Sequence, residues 1–347
     1  MEKHNYFDMA CSFYELYKGL KKACRNIRWK DSVVGYESNV LKNTLKLKKR
    51  LLSGNYRISK YQKLTVYEPK KREILASRLV DRQFQRSLCD CGLYEDITEH
   101  LIRDNVACQI GKGTGDALKR LKIHLHRYYR LHGADGWVLK CDIHHFFPST
   151  RHDTAKDAVN KYVSDEKAAK AVSDVIDSFG GDIGIGLGSQ ISQLVEILVL
   201  NDLDHFIKEQ LRIKYYIRYM DDFILIHDDK EYLKYCKNTI EKKLGELGFK
   251  LNNKTSIQTL KHGIVFLQWR FILTSTGKVL ILMNPKKIAR QKKRMKKLYE
   301  KELSGEVRKG SVHDSLQSFL ANAANGNTYR VQEAMKTFYF ELTGEKF

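Results

Sequence analysis

Three carboxylates stand out by their setting. Asp142 closes the apolar run 137–141, and Asp221-Asp222 separate two further apolar runs, 215–219 and 223–226. Short apolar runs of this kind read as buried strands. One acid then sits at a strand end, and a pair sits at the tip of a hairpin. Adjacent acids at a tight turn repel each other and gain nothing from packing. The arrangement makes sense if divalent cations are bound there. Mg²⁺ takes oxygen ligands, typically one or two carboxylates together with substrate phosphates. Two such ions can activate an attacking hydroxyl and stabilise a leaving pyrophosphate. Taken alone, Asp-Asp has a simpler explanation, because Asp is a common turn residue.

The elements that would position these acids form an α+β pattern. Met9, Phe13, Leu16, Leu20, Cys24 and Ile27 recur at helical spacing and predict one apolar stripe. A second helix is expected over 38–52, with Leu41, Leu45 and Leu51 inward and Gly54 as its stop. Two short strands around Glu68-Pro69-Lys70-Lys71 predict a hairpin. A long apolar helix is expected over 190–211, an amphipathic one over 231–247, short strands at 265–273 and 279–283, and helix in the last sixty or so residues. The sum is a small antiparallel sheet carrying acids, surrounded by helices.

Charge points to a polyanionic partner. The 347 residues hold 62 Lys+Arg against 41 Asp+Glu, a net charge of +21. Such a surplus speeds capture of nucleic acid, where each neutralised phosphate also releases counterions. Seven scattered cysteines with no C-x-x-C pair fit neither a disulfide framework nor a zinc site. No apolar stretch suits a secretion signal or a membrane span, so a cytoplasmic protein without a membrane partner is expected.

In full, the hairpin motif is Tyr219-Met220-Asp221-Asp222, which resembles the signature of reverse transcriptases. Further blocks occur in that family's order. Residues 140–149, Lys-Cys-Asp-Ile-His-His-Phe-Phe-Pro-Ser, are similar to its first acid motif. Gly188-Ser189-Gln190-Ile191-Ser192-Gln193 resembles the helix start that meets template and nucleotide. Leu251-Asn252-Asn253-Lys254-Thr255 is similar to the lysine motif, Phe266-Leu267-Gln268-Trp269 to the primer grip, and 68–74 to the fingers hairpin. The resemblance spans about residues 56–285 and implies a right-hand polymerase fold. It would divide into a helical N-terminal extension (1–55), fingers and palm (56–275), and a thumb (276–347).

The resemblance also implies roles. Asp142, Asp221 and Asp222, with the backbone carbonyl of Ile143, would hold two Mg²⁺ ions, for which Mn²⁺ could stand in. Arg72 and Lys70, or Lys71 beside it, would contact the incoming dNTP through its phosphates. Phe147 would block a 2′-hydroxyl, while Phe146 would be a core residue. Gly188 would allow close backbone approach, Gln193 would line the nascent base pair, and Lys254 would protonate pyrophosphate as a general acid. The basic segment 286–301 would lie on the backbone of an RNA–DNA duplex, and 111–114 would form a template-contacting turn.

The implied activity is RNA-directed DNA synthesis on a template RNA, in a bacterial or phage retroelement. Ser192-Gln193 resembles the form found in diversity-generating retroelements, which would add error-prone copying and a small basic accessory protein, whereas a structured non-coding RNA without a template/variable repeat pair would mark the retron-like alternative. A retron-like or phage-defence enzyme would share the core chemistry. An RNA-dependent RNA polymerase is disfavoured by the bulk of Phe147, and a non-catalytic RNA-binding protein by the presence of all three acids.

Overall fold

The computed structural model describes residues 5–67 and 71–347. They form two compact units that interleave along the chain. One runs to Ile110 and takes in Asp142–Arg212 and Asn238–Asn253; the other comprises Gly111–Cys141, Ile213–Lys237 and Lys254–Phe347. Among the described residues, no helix is long and apolar enough to cross a membrane. None of the seven cysteines forms a disulfide.

The first unit is mostly helical. The expected N-terminal stripe is split in two: Ser12 accepts a hydrogen bond from Glu15 N and caps a new helix, Phe13–Ala23, after the short helix Tyr6–Ala10. Met9 is consequently exposed, while Leu16 and Leu20 are fully buried. The Phe13–Ala23 helix packs on Leu79–Leu88 so closely that a Cβ on Gly19 would lie 2.6 Å from the Gln83 carbonyl. Gln83 is itself buried, and its amide donates to Leu16 O and Thr44 Oγ1, tying three helices together.

The helix Val40–Leu52 departs from expectation. Its buried face is Thr44, Leu47 and Leu51, whereas Leu41 and Leu45 are 63% and 56% exposed. The leucines permit two apolar stripes, and burial of Thr44 against Gln83 selects the one without Leu41 and Leu45.

Strands β1 (Gln62–Val66) and β2 (Arg72–Ala76) form the antiparallel hairpin expected around residue 69. The long helix expected over 190–211 is interrupted: Gln190–Val199 ends before Leu200, Asn201–His205 follows, and a wider turn covers Phe206–Gln210. Nothing in the local residue pattern, free of Gly and Pro, announces that break.

The second unit is built on two sheets. The larger has the order β4-β5-β3-β6, with β3 at Trp137–Asp142, β4 at Tyr215–Tyr219, β5 at Asp222–His227 and β6 at Ser256–Thr259. Helix Thr114–His132 packs on it, and Tyr128 is buried there. The smaller sheet runs β7-β8-β9: Ile264–Phe266, Trp269–Leu273 and Val279–Met283. The run expected as a strand over 265–273 is therefore a hairpin. Its turn, Leu267-Gln268, has both residues at positive φ, 49° and 70°. That geometry suits a two-residue hairpin, but it is usually signalled by Asn-Gly, which is absent here.

Three helices close the chain: Pro285–Leu303, Ser311–Ala323 and Tyr329–Thr343, packed around Met295, Leu316 and Met335. They are fastened to the small sheet by Asn327, whose backbone N–H donates to Ile281 O and whose side chain accepts from Ile281 N.

One cap joins distant parts of the first unit. Asp165 accepts hydrogen bonds from Lys167 N and Ala168 N at the start of helix Glu166–Asp177, and its other oxygen accepts from Phe7 N. Replacing Asp165 with Ala is expected to cost about 1–2 kcal/mol, the usual cost of a lost cap, read as a lower midpoint in urea unfolding. An unchanged midpoint would mean the cap contributes nothing.

Candidate active site

The acids sit where apolar strands run out. In β4 and β5, Tyr216, Ile217, Phe223, Ile224 and Leu225 are buried, so the hairpin is fixed on both faces. Tyr219 pairs with Asp222, leaving Met220 and Asp221 as a two-residue turn and making Asp222 the first residue of β5. Met220 has φ of 55°, a left-handed conformation that costs a non-glycine residue about 1–2 kcal/mol. Arg218, fully buried, donates from its guanidinium to Met220 O at 3.0 Å and holds that turn.

β3 neighbours β5 in the sheet and ends in Asp142, which is half-buried after the buried Val138, Leu139 and Cys141. Lys140 lies two residues earlier on the strand, hence on the same side as Asp142. Its ammonium donates to Val265 O at 2.8 Å and stands 3.6 Å from the Asp222 carboxylate. A fixed cation is therefore placed against one member of the acid pair. Sequence inspection did not single out Lys140 or Arg218. The period-2 alternation to Asp142 could have flagged Lys140; a fully buried arginine inside an apolar strand carries no such signal.

Beyond β3, the backbone of the first acid motif is held by the lysine motif. Asn252 N donates to Asp142 O at 2.7 Å, His144 N donates to Lys250 O at 2.9 Å, and Ile143 bridges Leu251. The Ile143 side chain is buried. Phe146 is also buried, against Phe249, while Phe147 is half-buried and its carbonyl accepts from Ile185 N. Lys254 is exposed.

Within the first unit, the glycine motif is pressed onto the β1–β2 hairpin. Leu75 N donates to Leu187 O at 2.8 Å, and a Cβ on Gly188 would lie 2.8 Å from Ile74 Cγ2 and 2.9 Å from Leu75 O. Gly188 also has φ of +123°, so only glycine suits the position. Arg72 opens β2 and is exposed, as is Lys71; Lys70 lies outside the described residues. Ser189 caps the next helix and donates to Gln85 Oε1, and Gln190 accepts from Arg86. Gln193 is exposed and faces a cavity of about 520 Å³ shared with Arg86, Tyr94, Cys108 and Ile110.

Among the described residues, one group brings metal-ligating atoms within 4.8 Å of one another: Asp96, Glu99 and His100. None of the expected acids belongs to it. Asp96 there accepts from Tyr6 Oη and Ser164 N, an anchoring role between helices. Its i, i+3, i+4 spacing was visible in sequence but carried no other sign of chemistry.

Replacing Arg218 with Met should release the Met220 carbonyl and destabilise the fold by about 2 kcal/mol, the scale of a hydrogen bond to a charged group. Denaturant titration reads this directly, and a loss well below 1 kcal/mol would show that the turn holds itself.

Comparisons with known proteins give the family of the chain. The sequence model of the family described as "Reverse transcriptase (RNA-dependent DNA polymerase)" matches residues 69–271, more than half of the chain. No curated protein is similar enough in sequence to register as a relative. Among solved structures, telomerase from Candida albicans in complex with a TWJ fragment of telomeric RNA is similar, with 14% identity, 89% of this chain and 59% of that chain covered, and a TM-score of 0.51. Apo telomerase from Candida tropicalis matches with 10% identity, 70% and 52% coverage, and a TM-score of 0.50. The chain thus spans between half and three-fifths of those telomerase chains, and at such identities the likeness speaks for the polymerase fold alone. With the family match running through the hairpin acids, the β3 acid and the glycine motif, the chain belongs to the reverse transcriptase family.

Proposed function

We propose that the protein is an RNA-directed DNA polymerase that extends a primer with dNTPs on a template RNA. The observation that carries this is the Met220-Asp221 turn, with Asp222 opening β5 beside the strand that ends in Asp142, inside the region matched to the family. In this reading residues 1–55 are an extension, 56–275 the fingers and palm, and 276–347 the thumb, and the enzyme works in the cytoplasm.

Asp142, Asp221 and Asp222 offer only oxygen ligands and are half-buried rather than sealed off, a donor set that fits Mg²⁺ or Mn²⁺. Together with the Ile143 carbonyl they would hold two such ions. Bound there, divalent cations supply charge stabilisation and lower the pKa of the primer hydroxyl. The chain's own groups do the rest. Lys140 restrains Asp222 and offsets its charge. Arg72, with Lys70, grips the triphosphate; the guanidinium fork matches phosphate oxygens in pairs. Phe147 fills the space a 2′-hydroxyl would need. Gly188, packed against β2, seats the helix start that meets the nucleotide, Gln193 lines the nascent pair, and Lys254 donates a proton to the departing pyrophosphate.

The subgroup we favour is the diversity-generating retroelement of a bacterium or phage. Ser192-Gln193 supports it, with Gln193 exposed at a cavity rather than packed away. A template RNA and a small basic accessory protein would then be partners.

Primer extension on an annealed RNA template tests the activity and its site together. The wild type should extend with dNTPs and not with rNTPs. The variant Asp221→Ala, Asp222→Ala should lose extension by about 10³-fold or more, as expected when charge stabilisation of the reacting phosphate is removed. Phe147→Val should admit rNTPs while keeping dNTP extension. Equal use of both nucleotides by the wild type, or full activity of the double variant, would overturn the reading.

A further inference from the structure

The helix Val40–Leu52 turns an apolar stripe away from the core. Leu41, Leu45 and Leu52 are 63%, 56% and 53% exposed, and at 100° per residue they fall within an arc of about 40°. Scattered exposed leucines are ordinary, but three aligned over about 16 Å of helix form a continuous patch. The patch leads at its C-terminal end into a cavity of about 680 Å³ where Leu51, Leu52, Ile58 and Phe84 are joined by three acids, Asp8, Asp174 and Asp177, balanced by Arg57, Lys167 and Lys170. Lys42, Lys46 and Lys49 are exposed along one border and Lys48 lies within it, while the helix contains no acid.

We propose that this face docks an acidic amphipathic helix of a partner protein. Helices recognise grooves through apolar residues at i, i+3, i+4 and i+7 spacing. Such a stripe would cover the three leucines and set one bulky apolar anchor against Leu51, Leu52 and Phe84 in the open cavity. Its flanking carboxylates would meet Lys42, Lys46 and Lys49. Charge argues against a second copy of this chain, because the same face would set lysine against lysine. RNA would use the lysines but leave the leucines uncovered, since unpaired bases favour aromatic planes and this helix has none. A partner here therefore differs in charge from the basic accessory protein considered above. The inference does not depend on polymerase activity.

Fluorescence anisotropy with the full-length chain tests it. The probe is a labelled peptide of about 18 residues, enough for five helical turns, with leucines at i, i+4, i+7 and i+11 and glutamates on both flanks. A scrambled peptide and a labelled single-stranded RNA serve as comparisons. The helix peptide should bind at least about tenfold more tightly than the scramble, a difference of about 1.4 kcal/mol. The surface variant Leu41→Glu, Leu45→Glu should lose that preference with its melting temperature and RNA affinity unchanged. Three results would each overturn the proposal: equal binding of both peptides, loss of RNA binding alone in the variant, or a wild-type dimer that the variant dissolves.

Discussion

The Asp221-Asp222 pair is held at a turn that offers its carboxylates no packing energy. Asp221 and Asp222 are neighbours in the chain, and the strand that ends in Asp142 lies next to the one Asp222 opens. Adjacent carboxylates repel each other, so other groups must impose the turn that carries Asp221 and Asp222. Apolar strands buried on both faces fix the backbone. The buried Arg218 holds the Met220 turn in a conformation that is unfavourable for methionine. Lys140 supplies a resident positive charge beside Asp222. With both ends of that pair about a quarter exposed, it is worth no more than about 1 kcal/mol, and its larger effect is to restrict where the Asp222 carboxylate can point.

The same economy appears elsewhere in the chain. In the first unit, Gly188 brings the glycine motif against the backbone of β2, so the strand carrying Arg72 and the helix carrying Gln193 are held by one contact. In the second, Asn327 mimics a strand partner for Ile281 and fastens the terminal helices to the small sheet that contains the Leu267-Gln268 turn. In each case one residue with special backbone or hydrogen-bonding ability joins elements that are otherwise separate in sequence.

Much of this was legible in the sequence, and the reasons are physical. The strands around the acids are short, strongly apolar and bounded by charge, so their period and limits were unambiguous. The pairing of β1 with β2 was announced by the Pro-Lys-Lys pattern between them in sequence. What could not be read was where two patterns competed. The leucines of Val40–Leu52 allow two faces, and the choice depends on the Gln83–Thr44 hydrogen bond from a distant helix. Ser12 is an ordinary capping residue whose effect as a break emerges only once a helix continues beyond it. Leu267 and Gln268 adopt left-handed conformations that neither residue type favours, so tertiary packing around Trp269 and Phe266 imposes that turn. Lys140 was within reach of simple alternation; Arg218 was not.

The most direct test of this account is thermal unfolding of the wild type and of the Asp221→Asn, Asp222→Asn variant, with EDTA and with millimolar Mg²⁺. Asparagine keeps the shape and removes the charge. If the tip exists to hold divalent cations, only the wild type should respond to them. Mg²⁺ should then raise the wild type by mass action and leave the variant unmoved. A wild type indifferent to Mg²⁺, or an equal rise in both proteins, would contradict the assignment of these carboxylates as a metal site.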